Sequence, residues 1–142
     1  MIDRRELLVG MGGVLAIGAG TLRAEESLFH ARELNHVALR ATDPERTARF
    51  YERVLGATRI DDGPPSSRFM AIGRHVVNLF QGPEPVLDHF CFTIDGYQPE
   101  AAAARLRAAG ITPTLQGGRL YFLDPDGFKL QIGGPNAGGQ KF

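Results

Sequence analysis

The strongest constraint on this chain is that it repeats itself. Residues 34–39 read Leu-Asn-His-Val-Ala-Leu and residues 87–92 read Leu-Asp-His-Phe-Cys-Phe, so His89 stands 53 positions after His36. Asn78, in Val-Val-Asn-Leu-Phe, and Gln131, in Lys-Leu-Gln-Ile, keep the same spacing. Each half therefore opens on a strand carrying a histidine and closes on a strand carrying an amide. Two copies are too few for a stacked array of repeats. A chain of 142 residues built this way is one domain made of two fused halves.

Composition narrows the function classes. Net charge is zero and no basic run is present, which argues against a nucleic-acid partner. The single cysteine, Cys91, excludes an internal disulfide. Nine of the 18 glycines fall in residues 1–24 and 133–142, so both ends differ in kind from the body. Residues 1–24 resemble a twin-arginine export signal: Arg4-Arg5, then Leu7-Leu8, a glycine-rich apolar stretch, and Arg23 before Ala24. That stretch is shorter than the roughly 20 residues a membrane span needs. The expectation is an exported, periplasmic or extracellular protein with no stable anchor once the signal is removed. Residues 25–33 form a leader, and residues 133–142 a flexible glycine-rich tail.

Within the body, residues 34–41 alternate as a strand, with His36, Ala38 and Arg40 on one face. A helix follows, capped by Thr42 or Asp43, with Pro44 in its first turn and Gly56 at its end. Ala48, Tyr51 and Leu55, flanked by Phe50 and Val54, form its expected buried stripe. Strands are expected at 57–62, 67–73 and 75–81, then a linker at 82–86. The second half repeats the order: a strand at 87–95 with His89, Cys91 and Thr93 on one face, a helix at 99–109, and strands near 111–115, 119–123 and 128–132. The spacing predicts an α+β fold of two tandem βαβββ modules, 34–81 and 87–132, forming a curved, cup-like sheet with helices on its outer face. The histidine faces would line the cup.

With these motifs in place the chain resembles the vicinal oxygen chelate superfamily, which includes glyoxalases, extradiol dioxygenases, fosfomycin-resistance enzymes and bleomycin-binding proteins. The resemblance rests on residues 34–39, on Thr-Ala-Arg-Phe-Tyr-Glu-Arg-Val-Leu-Gly at 47–56, and on Tyr-Phe-Leu-Asp-Pro-Asp-Gly-Phe-Lys-Leu-Gln at 121–131. It implies a divalent metal ion (Fe, Mn, Ni, Co or Zn) held by the first and last strands of each module, which here means His36, His89 and Gln131, with Asn78 at the fourth position. The family's metalloenzymes usually carry glutamate where Gln131 stands, and glyoxalases also where Asn78 stands. Two imidazoles and two amides leave a dication's charge uncompensated, which is costly in a low-dielectric cavity. Such a site holds its metal weakly or not at all, unless an anionic substrate such as a catecholate or enediolate supplies charge.

The implied function is that of an exported glyoxalase- or dioxygenase-like protein acting on a small molecule with adjacent oxygens. Tyr121 is the candidate proton donor, and Asn78, Arg40 and Phe80 are candidate substrate contacts. The rival reading is a metal-free small-molecule binding protein, as among the bleomycin-binding relatives. Relatives of this size are commonly homodimers. Cys91 reads as a packed thiol, while His75 and His30 lie outside the site.

Overall fold

The duplication is laid out symmetrically about the middle of one sheet in the computed structural model, which describes residues 27–61 and 66–139. The chain order is β1 (Ala31–Ala41), α1 (Pro44–Leu55), β2 (Thr58–Asp61), β3 (Ser67–Ile72), β4 (His75–Gln81), β5 (Val86–Ile94), α2 (Pro99–Ala108), β6 (Thr114–Gln116), β7 (Arg119–Leu123) and β8 (Lys129–Gly133). Across the curved eight-stranded sheet the order is β2-β3-β4-β1-β5-β8-β7-β6. Read outward from the centre, each half is the same four strands. β1 pairs parallel to β4 and β5 parallel to β8, while β1 and β5 run antiparallel and join the halves. The four central strands are thus the four that carry His36, Asn78, His89 and Gln131.

Each module has its own core. Ala48 of α1 packs with Ala57, Met70 and Leu79, while Ala102, Ala103 and Leu106 of α2 pack with Ile94, Leu120 and Ile132. Fully burying one such leucine contributes about 1.5–3 kcal/mol. The ends of α1 follow its sequence: the Asp43 carboxylate accepts from the Arg46 amide at 2.9 Å, and Gly56 takes the left-handed conformation, φ 66°, that closes the helix. Arg59 of β2 then grips Glu45 through two nitrogens at 2.8 and 2.9 Å and Glu52 at 2.7 Å, which fixes α1 over the sheet.

Several local expectations change. The buried stripe of α1 is narrower than its sequence suggests: Phe50, Val54 and Leu55 are 50–54% exposed, because Ala48 and the half-buried Tyr51 suffice to meet the sheet. β1 begins three residues earlier than expected, at Ala31, because β5 is long enough to pair with it there. β6 is only three residues and starts at Thr114, after Pro113. In the glycine-rich tail, residues 134–139 fold into successive turns, and the Asn35 side-chain amide donates to the Pro135 carbonyl at 2.8 Å. The segment read as an export signal, and with it Arg4 and Arg5, lies outside the described residues. Among the described residues no helix is long and apolar enough to cross a membrane.

Candidate functional site

Strand register brings the repeated polar residues into two adjacent rows. One row runs Val76, His36, Cys91, Gln131, Tyr121, Thr114, and the other Phe69, Asn78, Ala38, His89. His36 and His89 meet diagonally across the β1–β5 seam, with their Nε2 atoms 3.3 Å apart and their rings edge to face. Both are buried, as are Asn78 and Gln131.

Two of the three register shifts between β1 and β5 complete the arrangement; the third falls between Ala31 and Glu33. Between the pairs Leu34↔Phe92 and His36↔Cys91, β1 spends one extra residue, Asn35; between Ala38↔His89 and Leu39↔Leu87, β5 spends one extra residue, Asp88. A bulge breaks strict alternation and re-aims the extra side chain. Each extra residue is the one immediately before a site histidine, and each turns onto that histidine. His89 Nδ1–H donates to Asp88 Oδ1 at 2.7 Å, and His36 Nδ1–H donates to Asn35 Oδ1 at 2.9 Å. The orientation of the Asn35 amide is fixed from its other end, because its nitrogen donates to the Pro135 carbonyl and to Thr93 Oγ1. Strict alternation, as read from the sequence, places Asn35 and Asp88 on the wrong face; the only available signal was that a polar residue precedes each histidine at the same 53-residue spacing.

With both Nδ1 atoms donating, each ring in its neutral form presents its lone pair at Nε2, and the two Nε2 atoms converge. Burial first, then the charges of His89 and Arg119, lower the His36 pKa to about 4, so that ring is neutral at pH 7. Two imidazole nitrogens each about 2.1 Å from a common ion sit about 3.0 Å apart in octahedral and 3.4 Å apart in tetrahedral geometry; the observed separation is 3.3 Å. A carboxylate, backbone carbonyl or water behind the distal nitrogen is the usual support of a metal-binding histidine; Asp88 supplies a carboxylate and Asn35 an amide oxygen in that place. Asn78 Oδ1 is a buried acceptor with no hydrogen-bond partner among the described residues, and Gln131 is buried in the same row as His36. Among the described residues no third histidine, cysteine or carboxylate joins the pair in a metal-holding cluster. The two imidazoles therefore fit a divalent ion by their spacing, and the buried amides of Asn78 and Gln131 in the same two rows add no anionic charge.

Above the pair lies a cavity of about 750 Å³ lined by His89, Tyr121, Phe80, Arg40, Lys129 and Leu123, among others. Arg40 and Phe80 reach it as expected from the sequence; His36, Asn78 and Gln131 are buried and do not line it, Gln131 instead lining a separate cavity with Tyr97 and Arg119, and His89 is the member of the pair that faces it. Tyr121 packs edge-on against His89, ring centres 5.3 Å apart, and burial raises its pKa, so the hydroxyl keeps its proton at neutral pH. At the mouth, Asp88 accepts from Arg40 Nε at 2.7 Å and from Lys129 Nζ at 2.6 Å. Burial acts to raise the Asp88 pKa, but its bonds to His89, Lys129 and Arg40 prevail and hold it at about 2. Two cations thus share one carboxylate, leaving the mouth net positive. Lys129 was not among the sequence candidates; it lies two residues before Gln131 on the same strand face. Cys91 is fully buried, its thiol pushed up to about 12 by burial alone, which suits a packed thiol.

The profile of the Glyoxalase/Bleomycin resistance protein/Dioxygenase superfamily matches residues 33–132. The chain belongs to this superfamily. A curated relative, glutathione transferase FosA of Serratia marcescens, is 30% identical over 112 residues, spanning 71% of this chain and 79% of the relative. Among solved structures, the 2,3-dioxygenase LapB from Pseudomonas sp. KL28 superposes with a TM-score of 0.61 at 21% identity, over 76% of this chain and 42% of that one. The Mn(II)-bound glyoxalase from Novosphingobium aromaticivorans gives 0.63 at 22%, over 74% and 38%. Methylmalonyl-CoA epimerase from Mycobacterium tuberculosis gives 0.58 at 16%, over 77% and 90%. This chain therefore spans less than half of the dioxygenase and glyoxalase chains, and these three likenesses concern the fold alone.

Proposed function

We propose that the protein binds a divalent metal ion through His36 and His89, with Gln131 completing the set, and acts on a small anionic molecule with adjacent oxygens. The observation that carries this reading is the pair of Nε2 atoms 3.3 Å apart, each ring backed at Nδ1 by a polar partner. When bound, the ion supplies Lewis-acid polarisation of two adjacent substrate oxygens. Arg40 and Lys129 draw the anion to the mouth and orient it. Phe80 and Leu123 cover its apolar part and exclude water. Tyr121, protonated at neutral pH, gives its hydroxyl proton to charge that develops on the substrate. The substrate's own negative charge offsets the dication, which the neutral donors do not. Isomerase, lyase or transferase chemistry suits such a site at least as well as oxygen activation, which is usually run by two histidines and a carboxylate. The named activity of the FosA relative supports including thiol transfer in the screen.

The missing carboxylate favours a second reading, a metal-free binding protein for the same class of anion. Metal content separates the two. Protein purified without chelator, or loaded with Fe(II), Ni(II) or Zn(II), is expected to hold one equivalent that a His36→Ala/His89→Ala variant lacks. Ligand binding that persists unchanged in chelator and in the double variant would establish the binding protein instead. The paired arginines and apolar stretch of residues 1–24 support export by a twin-arginine route, and the family's habit supports a homodimer.

A further inference from the structure

We propose that Asn35 and Asp88 are duplicated positioning residues: each occupies a β-bulge so as to fix the tautomer of the histidine that follows it, and their difference makes His89 the stronger and His36 the weaker donor of the pair. The metal-binding consequence rests on the reading above, whereas the tautomer assignment stands on hydrogen bonding alone.

The argument starts from alternation. In a regular strand the residue before a site histidine points to the opposite face and cannot reach its ring. Both modules break the ladder at that position, and at both the extra side chain accepts from Nδ1–H; the further shift between Ala31 and Glu33 lies at the start of β1 and precedes no histidine. A bulge costs ladder hydrogen bonds, so two at equivalent places, each completing the same contact, mark a device kept in both halves. An acceptor at Nδ1 leaves the lone pair of a neutral ring at Nε2, and the two Nε2 atoms face one another at 3.3 Å. Between two neutral rings that contact is unfavourable, and a proton or a metal cation shared by the two nitrogens makes it favourable. The partners differ in charge. The Asp88 carboxylate makes the His89 ring electron-rich, and Asp88 is itself held by Arg40 and Lys129. The Asn35 amide is a weaker acceptor, aimed through its nitrogen by Pro135 and Thr93. His36 is thus the ligand that more readily lets go when a substrate enters.

Ring ¹⁵N spectroscopy of the metal-free protein reads the tautomers directly. Both rings are expected to carry hydrogen on Nδ1; Asn35→Ala releases His36 into a tautomer mixture and Asp88→Ala does so for His89, while Asn35→Asp and Asp88→Asn keep the native pattern. A native ring with its hydrogen on Nε2 would overturn the proposal whether or not metal binds. Co(II) titration of the same proteins reads the consequence. Loss of either acceptor should weaken binding about 10- to 100-fold. Asn35→Asp keeps the acceptor but removes the donors to Pro135 and Thr93, so a purely structural role predicts that it behaves like Asn35→Ala. Positioning predicts instead that it binds Co(II) at least as tightly as the native protein, even at a lower melting temperature. Asp88→Asn, which leaves an amide behind both rings, should bind more weakly than native yet more tightly than Asp88→Ala. Absence of Co(II) binding in the native protein, with the expected ring spectra, would refute the metal reading and the ranking of the two donors together, while leaving the tautomer assignment in place.

Discussion

Asp88 offers a test of the site that needs neither substrate nor metal. Its folded pKa of about 2, against an ordinary 3.8, means that the ionised form is favoured in the native state by bonds from His89, Lys129 and Arg40. A carboxylate depressed in this way contributes stability that is fully present above the unfolded value and lost as the pH falls through the folded one. A fall from 3.8 to about 2 is worth roughly 2.4 kcal/mol at 1.36 kcal/mol per tenfold change. Asp88→Asn keeps the shape and an acceptor for His89 but removes the titration. In chelator-treated protein, urea unfolding from pH 7 to pH 2 should show the native protein losing about 2 kcal/mol more than the variant between pH 5 and pH 2. Other groups titrate nearby, including His36 as the pH falls from its ordinary 6.5 toward about 4 and Glu45 with its pKa near 2, but they are common to both proteins and cancel in the difference. A difference between the two stability curves that stays constant within about 0.5 kcal/mol across that window would refute the account of Asp88 as the shared anion of the mouth.

Other perturbations probe the remaining parts. Gln131→Glu adds the negative charge that the donor set lacks and should tighten divalent-metal binding at least about tenfold, or 1.4 kcal/mol; unchanged affinity by competition titration would remove Gln131 from the metal's surroundings. Lys129→Ala should weaken binding of an anionic ligand about tenfold, increasingly so at low salt, and leave a neutral analogue unaffected; equal losses for both would mean that Lys129 acts through packing alone. Gly133→Ala places a Cβ 2.7 Å from that of Ala137, an overlap that should cost about 1–3 kcal/mol and push the 134–139 turns off the sheet end. Faster proteolysis of the tail would register this, and unchanged cleavage would show that the tail does not pack there. Leu79→Ala, at a fully buried position of the first core, should lose about 2–5 kcal/mol in urea unfolding, and a loss under 1 kcal/mol would contradict the packing described.

Much of the architecture was legible because it was written twice. His36 with His89 and Asn78 with Gln131 recur at one spacing, and period-two alternation around each assigns a strand and a face. The ends of α1 were equally readable, since Asp43, Pro44 and Gly56 act within a few residues of themselves. What stayed hidden depended on partners far along the chain. Nothing local says that Ala48 and Tyr51 suffice to seat α1 and leave Phe50 and Val54 in solvent; the curvature of the sheet beneath decides that. Nothing local distinguishes Lys129 from other strand lysines until β8 is laid beside β5 and its amine meets Asp88.

The bulges mark this division most clearly. By itself the sequence determined two βαβββ halves, the histidine–amide pattern, and a donor set short of a carboxylate, because strand periodicity and side-chain chemistry are local properties. The tertiary structure decided that β1 and β5 pair with one residue to spare at Asn35 and again at Asp88. Register between strands 53 residues apart is a property of the pairing, not of either strand. That register turns the residue before each histidine from the wrong face into the partner that aims it.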